Sequence, residues 1–176
     1  ELDLFFLILT IAGSETTRNA LAQGLMALIA HPDQLEHLRE DPTLLPTAAE
    51  EILRWSSPVI SFGRTATRDT ELGGQQLRAG DRVGLFYPSA NRDPNAFVDP
   101  YRFDIRRSPN PHVAFGGGGP HYCLGASLAR TEIQVMMGEL LRRFENIEIT
   151  GDPVWLSSGP AINVGVAVQS LPVRLS

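Results

Sequence analysis

Four consecutive glycines, Gly116 to Gly119, are followed by Pro120 and then by the chain's single cysteine, Cys123. No regular helix or strand runs through such a segment, because glycine loses the most backbone freedom on ordering and proline lacks an N–H donor. Helical spacing then takes over from Cys123 to Phe144, with Leu124, Leu128, Val135, Met136, Leu140 and Phe144 near one face. The pattern predicts a loop that lands a thiol at the start of a long helix. Unpaired N–H groups and partial positive charge at a helix N-terminus favour a thiolate over a thiol. A thiolate is a strong ligand for iron, and glycines let a backbone approach a flat ligand closely.

Other uses of this cysteine have to be weighed beside that one. A lone cysteine is often an inert core residue. A zinc site built on His121 and Cys123 lacks a second cysteine pair. A dinucleotide-binding glycine fingerprint fails because His121 stands where the third glycine belongs, and no strong strand precedes the loop.

Composition removes several further classes. All fifteen basic residues are arginine, which excludes a phosphate loop or Schiff base that depends on lysine. The net charge of −5 offers nothing to a nucleic-acid backbone. One cysteine forms no intramolecular disulfide. The longest apolar run, Leu4 to Ala12 broken only by Thr10, is far short of the roughly 20 residues that span a bilayer. A chain of 176 residues that opens on such a run, without a starting methionine, reads as one unit over 1–176 and as the C-terminal part of a longer protein.

Glu1 to Ala30 predicts one long, mostly buried helix that stops before His31-Pro32. Pro32 opens a short polar helix to Glu40, and Thr47 to Trp55 predicts a third helix ended by Ser56-Ser57-Pro58. Val59 to Thr67 and Arg82 to Tyr87 are strand-like, with a tight hairpin between them around Gly73-Gly74. Pro88 to Gly119 is long and irregular, which is unusual unless it is functional. The tail predicts short strands and a terminal hairpin near Ala161 to Leu175. The fold class expected is mainly α with small β pieces (α+β).

The stretch from Phe115 to Gly125 resembles the haem-binding signature of the cytochrome P450 family. Three more motifs stand in that family's order. Ala12-Gly13-Ser14-Glu15-Thr16-Thr17 resembles its oxygen-activation motif, Glu51-Ile52-Leu53-Arg54 its Glu-x-x-Arg motif, and Pro100-Tyr101-Arg102-Phe103 its Pro-x-Arg-Phe motif. One departure is visible: Phe115 lies eight residues before the cysteine, one more than in the common signature, and an extra glycine accounts for it. The resemblance implies the C-terminal half of the cytochrome P450 fold, with a long central helix, a cysteine-loop helix and a terminal β hairpin.

The resemblance also implies a haem-thiolate monooxygenase with haem b (iron protoporphyrin IX), a bacterial cytoplasmic enzyme of actinobacterial type. Cys123 becomes the axial ligand of the iron. Ala12, Gly13, Phe115, Gly117 and Gly125 flank the cofactor, and Arg64 and His121 take its propionates. Glu15 and Thr16 become the proton relay; the alternative for the same pair is a solvated glutamate and a threonine bonded to its own helix. Glu51, Arg54 and Arg102 form a buried structural network. Val59 and Ile60, with Ile162 and Val164, line a hydrophobic small-molecule substrate, although core packing accounts for them equally well.

A ferredoxin-type or other electron-donor protein is the implied partner, with no nucleic acid and no membrane span. Arg106, Arg107, Arg142 and Arg143 form two basic doublets, read either as a donor-docking ring or as solvated charge. His31, His37 and His112 read as surface or loop residues. Two alternatives stand beside the monooxygenase: a truncated chain with no activity of its own, and a haem-thiolate peroxygenase, isomerase or dehydratase.

Overall fold

The computed structural model describes residues 1–156 and 167–176. The helices are α1 (Leu2–Ala30), α2 (Pro32–Glu40), α3 (Leu45–Ser56), the single turn α4 (Tyr87–Ala90) and α5 (Ala126–Arg143). A 3₁₀ turn, Pro42–Leu44, leads into α3. The strands are β1 (Ser61–Thr65), β2 (Thr70–Leu72), β3 (Gln75–Leu77), β4 (Arg82–Phe86), β5 (Ile147–Ile149), β6 (Val154–Leu156), β7 (Ala167–Ser170) and β8 (Val173–Leu175).

Local chemistry sets these boundaries. Pro32 disfavours helical backbone at the preceding residue, so α1 stops at His31 and α2 starts with proline at its first position. Ser57 closes α3 in the left-handed region at φ 40°, its N–H bonded to the Leu53 carbonyl and its hydroxyl to the Arg54 carbonyl. Gly73 and Gly74, at φ 58° and 79°, make the two-residue turn between β2 and β3, a geometry that needs positive φ at both positions.

The core is built where α1, α3 and α5 converge. Ala20, Leu25, Ala27 and Leu28 of α1 meet Ala48, Ala49, Ile52 and Leu53 of α3 and Ile133 and Met137 of α5, with Phe103 and Ile105 closing the side. Gly24 allows α1 and α3 to approach closely: a Cβ there would lie 2.6 Å from Ile52 Cγ2. The Asn19 side-chain oxygen accepts from the Val168 N–H at 3.0 Å, which pins β7 to α1.

Two expectations are corrected. The first half of α1 is exposed, from Glu1 through Glu15, and all its buried positions lie from Thr17 onward. A helix apolar on every side needs neighbours on every side, and the described elements supply them only around the second half. On α5 the core face is Ala126, Ile133 and Met137, with Leu140 and Phe144 at its rim. Leu124, Leu128, Val135 and Met136 are exposed. In the tail, β8 pairs antiparallel with β5, and β7 with β6. The antiparallel β6–β7 pair agrees with the terminal hairpin expected near Ala161 to Leu175, and the last strand joins β5. No described helix is long and apolar enough to cross a membrane.

Gly24→Ala should destabilise the fold. The clash with a β-branched side chain costs about 1–3 kcal/mol, against a helix-propensity gain of ~1 kcal/mol. Urea unfolding should show a lower midpoint; a raised one would mean that the two helices have room to spare.

Candidate functional site

The glycine run folds into a loop closed by its own backbone. The Cys123 N–H donates to the Phe115 carbonyl at 3.0 Å, and the Gly116 N–H to the Val113 carbonyl at 2.8 Å. Gly116, Gly118 and Gly119 adopt φ of 93°, 96° and 79°, which side chains other than glycine rarely take. The extra glycine is absorbed in this arc, since the loop ends still meet. A Cβ added at Gly117, Gly118 or Gly119 would touch nothing, so this backbone faces open space.

Cys123 is exposed. It does not begin the helix: α5 starts three residues later at Ala126, whose N–H donates to the Cys123 carbonyl at 3.3 Å. Gly125 is the N-cap, and a Cβ there would sit 4.0 Å from the sulfur. His121 is exposed in the same loop. Arg64 is exposed on β1, where its guanidinium donates to the Gly63 carbonyl at 2.9 Å. An exposed thiol beside an open glycine arc suits an iron-bearing flat ligand. No cluster of three or more metal-ligating side chains competes with it among the described residues.

On α1 the Thr16 hydroxyl donates to the Ala12 carbonyl at 2.6 Å. Glu15 accepts from Arg18 at 3.0 Å and is half exposed. Ala12 and Gly13, one turn earlier, are exposed and small. The pair therefore stands with each member bonded within its own helix.

The Glu51–Arg54 pair is fully buried. Arg54 Nε and Nη2 donate to the two Glu51 oxygens at 2.7 and 2.8 Å. Its remaining donors reach the carbonyls of Asn91 (2.8 Å), Pro100 (2.8 Å) and Arg102 (3.1 Å). All five guanidinium protons are thus used. Glu51 also accepts from the Asp104 N–H, the Asn110 side chain and Arg107 Nε. Arg102 joins through its main-chain carbonyl, and the second guanidinium on Glu51 belongs to Arg107. Asn91 carries the network toward the loop: its side chain donates to the Ser57 hydroxyl and accepts from the Val113 N–H, both at 2.8 Å.

A second ion cluster was not evident in the sequence. Glu50 accepts from Arg130 Nε and Nη2 at 2.6 and 2.9 Å and from His112 Nε2 at 3.0 Å. The other His112 nitrogen accepts from the Ala114 N–H at 3.2 Å, which places the imidazole proton on Nε2. Burial pushes the Glu50 carboxyl up, but the hydrogen bonds from His112 and Arg130 win and hold it at about 2. The His112 side chain is buried, and His31 packs between Trp55 and Phe103, so neither is a surface histidine. The paired carboxylates Glu50-Glu51 were the signal available for this cluster.

The remaining candidates scatter. Val59 and Ile60 are half-buried just before β1. Ile60 lines a cleft with Trp55, Phe86 and Tyr101 that includes no residue of the cysteine loop. Ile162 and Val164 lie outside the described residues. The basic doublets do not form a free ring: Arg107 is committed to the Glu51 network, and Arg142 and Arg143 both pair with Glu139.

Arg54→Lys should destabilise by about 3–5 kcal/mol, because a lysine's three donors cannot serve five acceptors and the buried carboxylate is left short. Equilibrium unfolding reads it directly. Glu50 is held below its ordinary value near 4.5, so its stabilisation is complete above that pH and is lost as pH falls through about 2. Glu50→Gln should accordingly flatten the acid limb of the stability profile between those limits; an unaltered limb would show that Glu50 does not contribute.

The cytochrome P450 family profile matches residues 1–175. The chain is 51% identical over 159 residues to the methyl-branched lipid omega-hydroxylase of Mycobacterium tuberculosis, covering 90% of this chain and 37% of that protein. It is 51% identical over 160 residues to the steroid C26-monooxygenase of Rhodococcus jostii, covering 90% and 33%. Among solved structures, the Mycobacterium marinum cytochrome P450 CYP268A2 in complex with pseudoionone superposes with a TM-score of 0.91 at 48% identity, over 97% of this chain and 40% of that one. The chain thus spans about two fifths of the length of such relatives. A matched profile over nearly every residue, together with a glycine loop that presents an exposed thiol, establishes that the chain belongs to the cytochrome P450 family.

Proposed function

We propose that this chain carries the thiolate side of a haem monooxygenase that inserts one atom of O₂ into a hydrophobic small molecule. The observation that carries the reading is the exposed Cys123 sulfur, held beyond a loop whose backbone is bare glycine. When bound, haem b supplies dioxygen binding and reduction, with one oxygen atom leaving as water.

Each residue then has a task. Cys123 offers its exposed sulfur to the iron from the turn that leads into α5. Gly117 and its neighbours present no side chain, so the ring can lie against the backbone. Phe115 packs at the loop entrance and Gly125 leaves space beside the sulfur. Arg64 and His121, both exposed, supply cations or donors for the two propionates. Ala12 and Gly13 leave room on α1 for a bound gas.

Glu15 and Thr16 handle protons. The Thr16 hydroxyl hydrogen points to the Ala12 carbonyl, which leaves its oxygen lone pairs free to order a water. Glu15 is half exposed and so can recover a proton from solvent. Val59, Ile60, Ile162 and Val164 are assigned to the substrate wall. Relatives named for lipid and steroid oxidation support an extended apolar substrate. Electrons come from a ferredoxin-type or comparable donor protein.

One observation favours a second reading, in which this stretch of chain is inactive by itself: Leu2 through Ile11 are exposed, so the described residues do not enclose that half of α1. The deciding measurement is the spectrum of the reduced, carbon-monoxide-bound protein. A strongly red-shifted Soret band supports thiolate ligation by Cys123, and Cys123→Ser should remove it. Thr16→Ala should retain haem and divert reducing equivalents into peroxide; fully coupled product formation in that variant would sink the relay.

A further inference from the structure

The two ends of the cysteine loop sit on one charged cluster. Arg130, on α5, lies with its guanidinium carbon 4.6 Å from the centre of the Phe115 ring. Its Nη1 reaches the Tyr122 hydroxyl at 3.4 Å. Phe115 opens the loop and Tyr122 immediately precedes the sulfur-bearing residue, and their rings meet edge-on at 6.4 Å. Beyond Phe115 stands His112, its ring 6.1 Å away.

Glu50 fixes the plane of that guanidinium. Both of its oxygens accept from Arg130, a fork that allows one orientation only. His112 donates to the same carboxylate from the other side. Glu50 and Glu51 are successive residues of α3 with different duties: Glu51 binds the irregular segment before the loop, and Glu50 reaches the loop and α5. The Phe115 carbonyl in turn accepts the Cys123 N–H, so a single hydrogen bond separates the clamped residue from the ligand residue.

We infer that Glu50, His112 and Arg130 are positioning residues that grip both ends of the cysteine loop and so aim the Cys123 sulfur. The inference rests on the haem-thiolate reading above. Burial separates this role from general stability. Arg54 and Glu51 are completely buried, whereas the Glu50 and Arg130 side chains are 28% and 30% exposed. Partly exposed pairs contribute less to folding than sealed ones, so this cluster adds less stability than the Arg54 network does, and its distinctive effect is on the aim of the sulfur.

The test uses Arg130→Lys and Arg130→Met in the haem-loaded protein. Three quantities are read: the Soret band of the reduced carbon-monoxide complex, the midpoint potential of the iron, and the thermal unfolding midpoint. Both variants should lower the unfolding midpoint less than Arg54→Lys does, yet lose the thiolate-type band, raise the potential and retain haem roughly tenfold less well, as is usual when an outer partner of a metal ligand is removed. Lysine should not rescue, because an ammonium neither forks onto a carboxylate nor stacks on a ring. The proposal is overturned if Arg130→Lys restores band and potential, or if both variants lower only the unfolding midpoint. Should the methionine variant fail to accumulate, Phe115→Leu takes its place with the same two outcomes. A wild-type protein without the thiolate band would instead sink the haem-thiolate reading itself.

Discussion

The irregular stretch that leads into α5 depends on one buried guanidinium. The stretch from Asn91 to Gly125 contains no strand and no helix, so it cannot satisfy its backbone internally as regular structure does. Arg54 and Glu51 serve in place of a ladder. Between them they bind main-chain groups of Asn91, Pro100, Arg102 and Asp104 and the side chains of Arg107 and Asn110. Burying two charges is costly, and the cost is offset here because every guanidinium proton finds an acceptor. An all-arginine basic complement suits that task, since lysine would bring too few donors.

The linear order of motifs made the family legible, because the chemistry of each motif is local. Side-chain direction was less legible. Arg102 fits the motif spacing, yet it enters the Glu51 network by its carbonyl while Arg107 supplies the guanidinium. Spacing along an irregular chain says nothing about which way a side chain points. His112 looked like any loop histidine, and its partner Glu50 is 62 residues away. On α5 two apolar stripes compete. Periodicity reveals that stripes exist but not which one meets α1 and α3, and the buried choice was Ile133 and Met137.

Two adjacent carboxylates divide the work of holding the site. Glu51 is sealed from solvent and organises backbone, whereas Glu50 sits nearer the surface and organises rings. The division follows from helix geometry, since neighbouring positions on α3 point about a quarter-turn apart. Thr16 and Glu15 show the opposite case. They too are neighbours, yet each is bonded within its own helix. Their proposed partnership is therefore one that water has to complete.

The reach of Arg54 also bears on how the irregular segment moves. Loops usually open in small local steps, and their amides trade hydrogen with water far faster than those of a core helix. Here the amides of Asp104 and Val113 are tied to side chains of the buried network itself. Neither can be released without disturbing Glu51 or Asn91, and through them α3. These loop amides belong to the same cooperative unit as the helical core, so a segment without regular structure should exchange as slowly as the helices it connects.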